Sequence, residues 1–374
     1  MQRQMKRVIA GAFAVWLVGW AGGFGTAIAA SEPAYPWAPG PPPSPSPVGD
    51  ASTAKVVYAL GGARMPGIPW YEYTNQAGSQ YFPNAKHDLI DYPAGAAFSW
   101  WPTMLLPPGS HQDNMTVGVA VKDGTNSLDN AIHHGTDPAA AVGLSQGSLV
   151  LDQEQARLAN DPTAPAPDKL QFTTFGDPTG RHAFGASFLA RIFPPGSHIP
   201  IPFIEYTMPQ QVDSQYDTNH VVTAYDGFSD FPDRPDNLLA VANAAIGAAI
   251  AHTPIGFTGP GDVPPQNIRT TVNSRGATTT TYLVPVNHLP LTLPLRYLGM
   301  SDAEVDQIDS VLQPQIDAAY ARNDNWFTRP VSVDPVRGLD PLTAPGSIVE
   351  GARGLLGSPP SAAKHYRFDP SATA

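Results

Sequence analysis

Between Pro138 and Val150 the chain reads Pro-Ala-Ala-Ala-Val-Gly-Leu-Ser-Gln-Gly-Ser-Leu-Val, and its five residues Gly143-Leu144-Ser145-Gln146-Gly147 constrain the fold more than any other stretch. A G-x-S-x-G pentapeptide between a small-apolar run that reads as a buried strand and a segment of helical character has the context of a nucleophile elbow. Such a turn leaves no room for side chains at the flanking positions, so glycines stand there and the central hydroxyl is held above the sheet edge. The competing reading is a plain Gly/Ser turn at a strand end. After the turn, Leu149, Val150, Leu151, Ala156 and Leu158 alternate with polar residues up to Asn160-Asp161-Pro162, which predicts a helix over 146–160. Its N-terminus would lie beneath Ser145 and favour negative charge developing there.

The surrounding pattern supports a layered α/β fold. Lys55–Leu60, His87–Pro93 and Leu170–Phe175 read as strands, and Thr116–Ile132 as a helix leading to His133-His134. This alternation predicts an α/β-hydrolase with a central, mainly parallel sheet and helices on both faces. In serine hydrolases of this architecture the N–H after the nucleophile and one from an early loop hold the oxyanion, which selects Gln146 together with Gly62 or Ala63.

A serine hydroxyl needs a histidine to take its proton and a carboxylate to orient that histidine. In this class both follow the serine, acid first, in loops after late strands. The β-rich run His220–Tyr225 is followed by Asp226-Gly227-Phe228-Ser229-Asp230, where the G-x-x-D arrangement favours Asp230 as the acid. Asp226 ranks second because its place at the strand end suits a turn-forming role, and Asp217 lies at the wrong end of the strand. Thr278–Val286 is the last strong strand signal, and His288 directly after it is the expected general base. His252, read with the Ala-rich helix from Leu238 to Ala251, is the nearest rival, and His220 sits at a strand start. Adjacent His133 and His134 cannot share one face of a helix, and no metal-ligand spacing accompanies them, so no metal is expected. The sequence carries no cofactor motif either.

Composition narrows the setting. With no cysteine, disulfides and thiolate chemistry are excluded. A net charge of −11, with only 14% charged residues, argues against nucleic acid. Residues 1–30 carry Arg3, Lys6 and Arg7, an apolar run and Ala27-Ile28-Ala29, the layout of a signal peptide or an uncleaved signal anchor. Either places the remainder outside the cell membrane. Residues 31–54 form a proline-rich linker, 55–322 the catalytic domain, and 323–374 an irregular, partly disordered tail. The apolar, proline-punctuated segment 184–211 reads either as a lid-like insertion or acyl-chain groove or as an irregular loop packed on the core.

With these residues in place, the region from about Val56 to Tyr320 resembles the PE-PPE domain of mycobacterial proteins, a cutinase-related serine α/β-hydrolase. The matching pieces are Gly143-Leu-Ser-Gln-Gly-Ser148, Tyr225-Asp-Gly-Phe-Ser-Asp-Phe-Pro232 and Tyr282-Leu-Val-Pro-Val-Asn-His-Leu-Pro-Leu291 with Pro294-Leu295-Arg296. The N-terminal signal and tether, in place of a PE or PPE helical module, resemble the exported, membrane-associated acyltransferases of the family. The resemblance implies fatty acyl transfer between acylated trehalose glycolipids of the cell envelope through an acyl-Ser145 intermediate. A secreted or membrane-anchored lipase or esterase acting on other long-chain acyl esters is the nearest alternative. A non-catalytic lipid-binding protein of the envelope that keeps the fold is the rival from another class.

Overall fold

A run such as Ala139–Leu144, apolar and small at every position, has no solvent face, and in the computed structural model all six of its residues are buried at the centre of a sheet. The structure describes residues 53–64, 70–94, 116–135, 137–201, 204–210, 213–325, 329–342 and 344. The expected signal segment and nearly all of the linker lie outside the described residues, as does the tail beyond residue 344. Among the described residues no helix is long and apolar enough to cross a membrane.

Seven strands form the main sheet in the order β10-β11-β9-β4-β3-β1-β2. They are β1 (Val56–Leu60), β2 (Lys86–Leu89), β3 (Ala139–Leu144), β4 (Leu170–Phe175), β9 (Thr218–Thr223), β10 (Ile268–Val272) and β11 (Thr278–Val284). Every pairing is parallel except the β10–β11 hairpin at one edge. Register places Gly143, at the end of β3, opposite Leu60 of β1 and Thr174 of β4, so three strands finish beside the pentapeptide. Strand β10 was not legible as a strand because Ile-Arg-Thr-Thr-Val is an exposed edge with no buried alternate face.

Helices α1 (Trp70–Gln76), α2 (Val117–His134), α3 (Gln146–Leu158), α4 (Phe188–Ile192), α5 (Leu238–Ile250) and α6 (Asp302–Asp317) surround the sheet. Their starts follow local chemistry: Thr116 caps α2, Asn237 caps α5, and Ser301 with Glu304 forms a reciprocal capping box on α6. α6 runs through Pro314 to Asp317.

The segment 184–211, with the residues just before it, carries two small hairpins, β5 (Arg181–His182) with β6 (Gly185–Ala186) and β7 (His198–Ile199) with β8 (Tyr206–Thr207), flanking α4. It is anchored on the helical layer and on the loop after β9. Gly118 N–H donates to the Ile204 carbonyl, the Gln153 amide to that of Thr207, and Phe188 N–H to that of Phe228. Part of the expected tail is packed rather than loose: Val286 bridges to Val333 and Leu339, and Leu339 and Leu342 are buried.

Candidate active site

The elbow is built by close approach. A Cβ on Gly143 would lie 2.5 Å from the Gly147 carbonyl oxygen, and one on Gly147 would lie 2.4 Å from that of Leu60, so neither position admits a side chain. Between them Ser145 is forced to φ 51°, ψ −115°, a region costly for a residue with a Cβ. Ser145 N–H donates to the Phe175 carbonyl at 2.8 Å, and the Ser148 hydroxyl to that of Gly143 at 2.9 Å, which holds the strained turn in place. Gln146 is the first residue of α3, and its N–H has no intrahelical partner.

The histidine at this serine is His252. It stands two residues beyond α5, its Nε2 2.8 Å from Ser145 Oγ and its Nδ1 2.7 Å from Asp226 Oδ2. A carboxylate accepts, so Nδ1 carries the proton, Nε2 is left as the acceptor, and the Ser145 hydroxyl donates to it. Asp226 is fully buried and receives further hydrogen bonds from Phe228 N–H at 2.9 Å and the Ser229 hydroxyl at 2.6 Å. The Phe228 ring packs on the imidazole, centroids 4.5 Å apart. α5 can deliver His252 here because Gly247 lets it lie on the Tyr225 backbone: a Cβ there would fall 2.1 Å from the Tyr225 carbonyl oxygen.

The structure does not bring Asp230 or His288 to Ser145. Asp230 is fully buried against Arg322, whose guanidinium reaches its two oxygens at 2.5 and 2.9 Å, and it also accepts from Tyr225 N–H at 2.7 Å. Burial pushes its carboxyl pKa up while Arg322 opposes the shift. The second acceptor bond explains its place in the motif: Tyr225 has φ 64°, and Asp230 holds that strained residue immediately before Asp226. Asp226 therefore takes the position expected of Asp230, and its turn-forming bonds are part of how it is aimed.

His288 is displaced because the chain does not turn back at the end of β11. It stays extended, with Val286 bridged to two later segments and Asn287 N–H bonded to the Leu339 carbonyl, and passes beneath α6. There His288 is buried, with Nδ1 3.1 Å from Asp309 Oδ2 and 3.4 Å from Asp306, and Nε2 3.7 Å from Asp302. His220 lies within the sheet, its Nδ1 2.8 Å from Thr174 Oγ1, and burial lowers its pKa to about 4.

Of the oxyanion candidates, Gly62 has its N–H committed to the Tyr73 hydroxyl at 3.2 Å, so it is not an open donor. Ala63 is half-buried, one residue further along that loop. Among the described residues, two groups of side chains converge closely enough to share a cation, Asp129–His133–Asp161 and His288–Asp306–Asp309. Neither contains Ser145, His252 or Asp226.

A mainly parallel sheet with helices around it and a serine on a strand-to-helix elbow defines the α/β-hydrolase class. More narrowly, the chain belongs to the PE-PPE domain family, which matches residues 83–321. Among its relatives, SL1278 acyltransferase Chp1 of Mycobacterium tuberculosis (strain ATCC 25618 / H37Rv) is 39% identical over 354 residues, covering 94% of this chain and 76% of that protein. Esterase PE16 of the same strain is 31% identical over 313 residues, 82% of this chain and 56% of that protein. Uncharacterized PPE family protein PPE63 of that strain is 34% identical over 283 residues, 75% of this chain and 54% of that protein. The chain thus spans about half the length of the last two. No solved structure matches it at a significant level.

Proposed function

We propose that the protein is a serine acyltransferase with esterase capability, in which Ser145, His252 and Asp226 form the catalytic triad. The observation that carries this reading is the pair of contacts at His252, 2.8 Å to the serine hydroxyl and 2.7 Å to a buried carboxylate. His252 Nε2 takes the Ser145 proton as Oγ attacks the ester carbonyl, and Asp226 stabilises the imidazolium that results. Collapse of the tetrahedral intermediate expels the donor alcohol, which receives that proton, and leaves acyl-Ser145. An acceptor hydroxyl then gives its proton to His252 and attacks the acyl carbon, freeing Ser145 with the new ester formed.

The finer reading is acyl transfer between acylated trehalose glycolipids at the extracytoplasmic face of the membrane. It is supported by the acyltransferase name of the 39% identical relative and by the signal-like first 30 residues. Hydrolysis of long-chain esters is the second reading, favoured by the esterase relative. Incubating the protein with acylated trehalose and following the lipids by mass spectrometry separates the two. Transfer yields a more highly acylated trehalose together with a deacylated donor, and release of free fatty acid alone would leave only the esterase reading.

A further inference from the structure

The Gly61-Gly62 loop, after β1, passes close beside Ser145. A Cβ built on Gly62 would lie 3.0 Å from Ser145 Cβ, 3.1 Å from the Tyr73 hydroxyl and 3.3 Å from the Leu144 carbonyl oxygen. The phenol oxygen of Tyr73 and the methylene of Ser145 therefore border the same small space, although Tyr73 comes from a different element, α1.

The loop's own polar groups are already engaged. The Trp70 indole N–H donates to the Gly62 carbonyl at 2.6 Å and the Tyr92 hydroxyl to the Gly61 carbonyl at 2.7 Å. These bonds fix both carbonyls, so neither partial negative charge is left loose beside the serine. The Gly62 N–H donates to the Tyr73 hydroxyl oxygen at 3.2 Å. A phenol that accepts through its oxygen still has its O–H to give, and among the described residues no acceptor takes it. Tyr73 is only 7% exposed, and burial pushes its pKa far up, so the proton stays on the oxygen.

We propose that the Tyr73 hydroxyl is an oxyanion donor that works beside the Gln146 N–H, with Gly62 acting through it as a positioning residue. This rests on Ser145 being the nucleophile. When Oγ attacks, the carbonyl oxygen becomes an oxyanion close to Ser145 Cβ, and a buried O–H already polarised by the Gly62 N–H is a stronger donor there than an isolated one. The arrangement assigns a role to the glycine at 62, where any side chain would fill the gap between serine and phenol. It also explains why an N–H in the position expected of the second donor is spent on a side chain.

Tyr73→Phe keeps the ring and removes only the donor. Assayed on a p-nitrophenyl ester, it is expected to lower kcat about 10- to 1,000-fold with KM changed less than about threefold. Reaction of Ser145 with a fluorophosphonate should slow in parallel, because the phosphonyl oxygen occupies the same position. Difluorotyrosine at position 73 keeps shape and donor, and should restore most of the kcat lost in Tyr73→Phe. A purely structural role for Tyr73 would lower stability in Tyr73→Phe without separating the two variants in kcat. Wild-type kcat in a folded Tyr73→Phe, or no recovery of kcat with difluorotyrosine, would overturn the proposal. Ser145→Ala separates the two levels: retained activity there removes the nucleophile reading itself, whereas inactive Ser145→Ala beside a fully active Tyr73→Phe removes only the oxyanion role.

Discussion

Among the described residues, the buried histidines His252 and His288 each hold an aspartate at Nδ1, and they differ in what faces the other nitrogen. At His252 the opposite side is the Ser145 hydroxyl, 2.8 Å away. At His288 it is a third carboxylate, that of Asp302 at 3.7 Å. An aspartate at Nδ1 prepares Nε2 to accept a proton, and only a hydroxyl within reach turns that readiness into nucleophile activation. Around His288, Asp309 also accepts from Leu289 N–H and the Thr292 hydroxyl, so the second pair clamps the segment after β11 to α6. A buried His–Asp contact is thus a joint in one place and, in the proposed triad, a proton relay in the other.

Exchanging the histidines for alanine tests this contrast most severely. His252→Ala is expected to reduce kcat on a simple ester by about 10⁴-fold or more without loss of fold. His288→Ala should retain near wild-type kcat while the folded state loses roughly 2–4 kcal/mol, read from urea unfolding. Loss of turnover in folded His288→Ala, with His252→Ala active, would reverse the assignment.

The two aspartates of the Tyr225–Asp230 turn sharpen it further. Asp226→Asn should lower kcat about 10²- to 10⁴-fold, since an amide at that place no longer fixes the tautomer of His252. Asp230→Asn leaves Arg322 buried without its counter-charge and should cost about 3–5 kcal/mol of stability, as measured by chemical denaturation, with the fraction that folds still turning over.

The smallest effect concerns a carboxyl that has neither a relay nor a matched cation. Glu154 on α3 is fully buried, neither oxygen receives a hydrogen bond, and the Arg157 guanidinium stands 3.6 Å away. Burial, with Asp129 nearby, raises its pKa from 4.5 to about 8. Between those values the folded protein holds a proton that the unfolded chain has released, so this group's contribution to stability falls as pH rises through the window. Glu154→Gln should remove that slope: melting temperatures above wild type at pH 8, converging with it near pH 4.5. A wild-type slope retained in the variant would show that Glu154 is not its source.

Much of this was legible in the sequence, and the misses share a cause. The glycines of the pentapeptide encode a backbone approach too close for side chains, so the elbow and its parallel strands could be read from residue types alone. Ser145, Asp226 and His252, which the structure brings together, also follow one another along the chain in the expected order of serine, acid and histidine. Asp226 rather than Asp230 faces the histidine at Ser145, and residue types do not reveal this because both aspartates of one turn are buried and the deciding partner of Asp230, Arg322, lies 92 residues away. His252 rather than His288 stands at Ser145 because the end of the last strand is a position in sequence, while the return of a chain to Ser145 is decided in space. β11 is carried onward by pairing with Val333 and Leu339, and α5 comes back to the serine through the contact of Gly247 with Tyr225.

The most direct test of the account is to trap the covalent intermediate. The protein is mixed with a slowly turned-over acyl ester, quenched in acid, digested and mapped by mass spectrometry, with His252→Ala and His288→Ala treated alongside. The acyl group is expected on Ser145 in the wild type and in His288→Ala, and is expected to be absent over the same interval in His252→Ala. An adduct on another residue, or one that forms on Ser145 at the wild-type rate without His252 and disappears without His288, would contradict it.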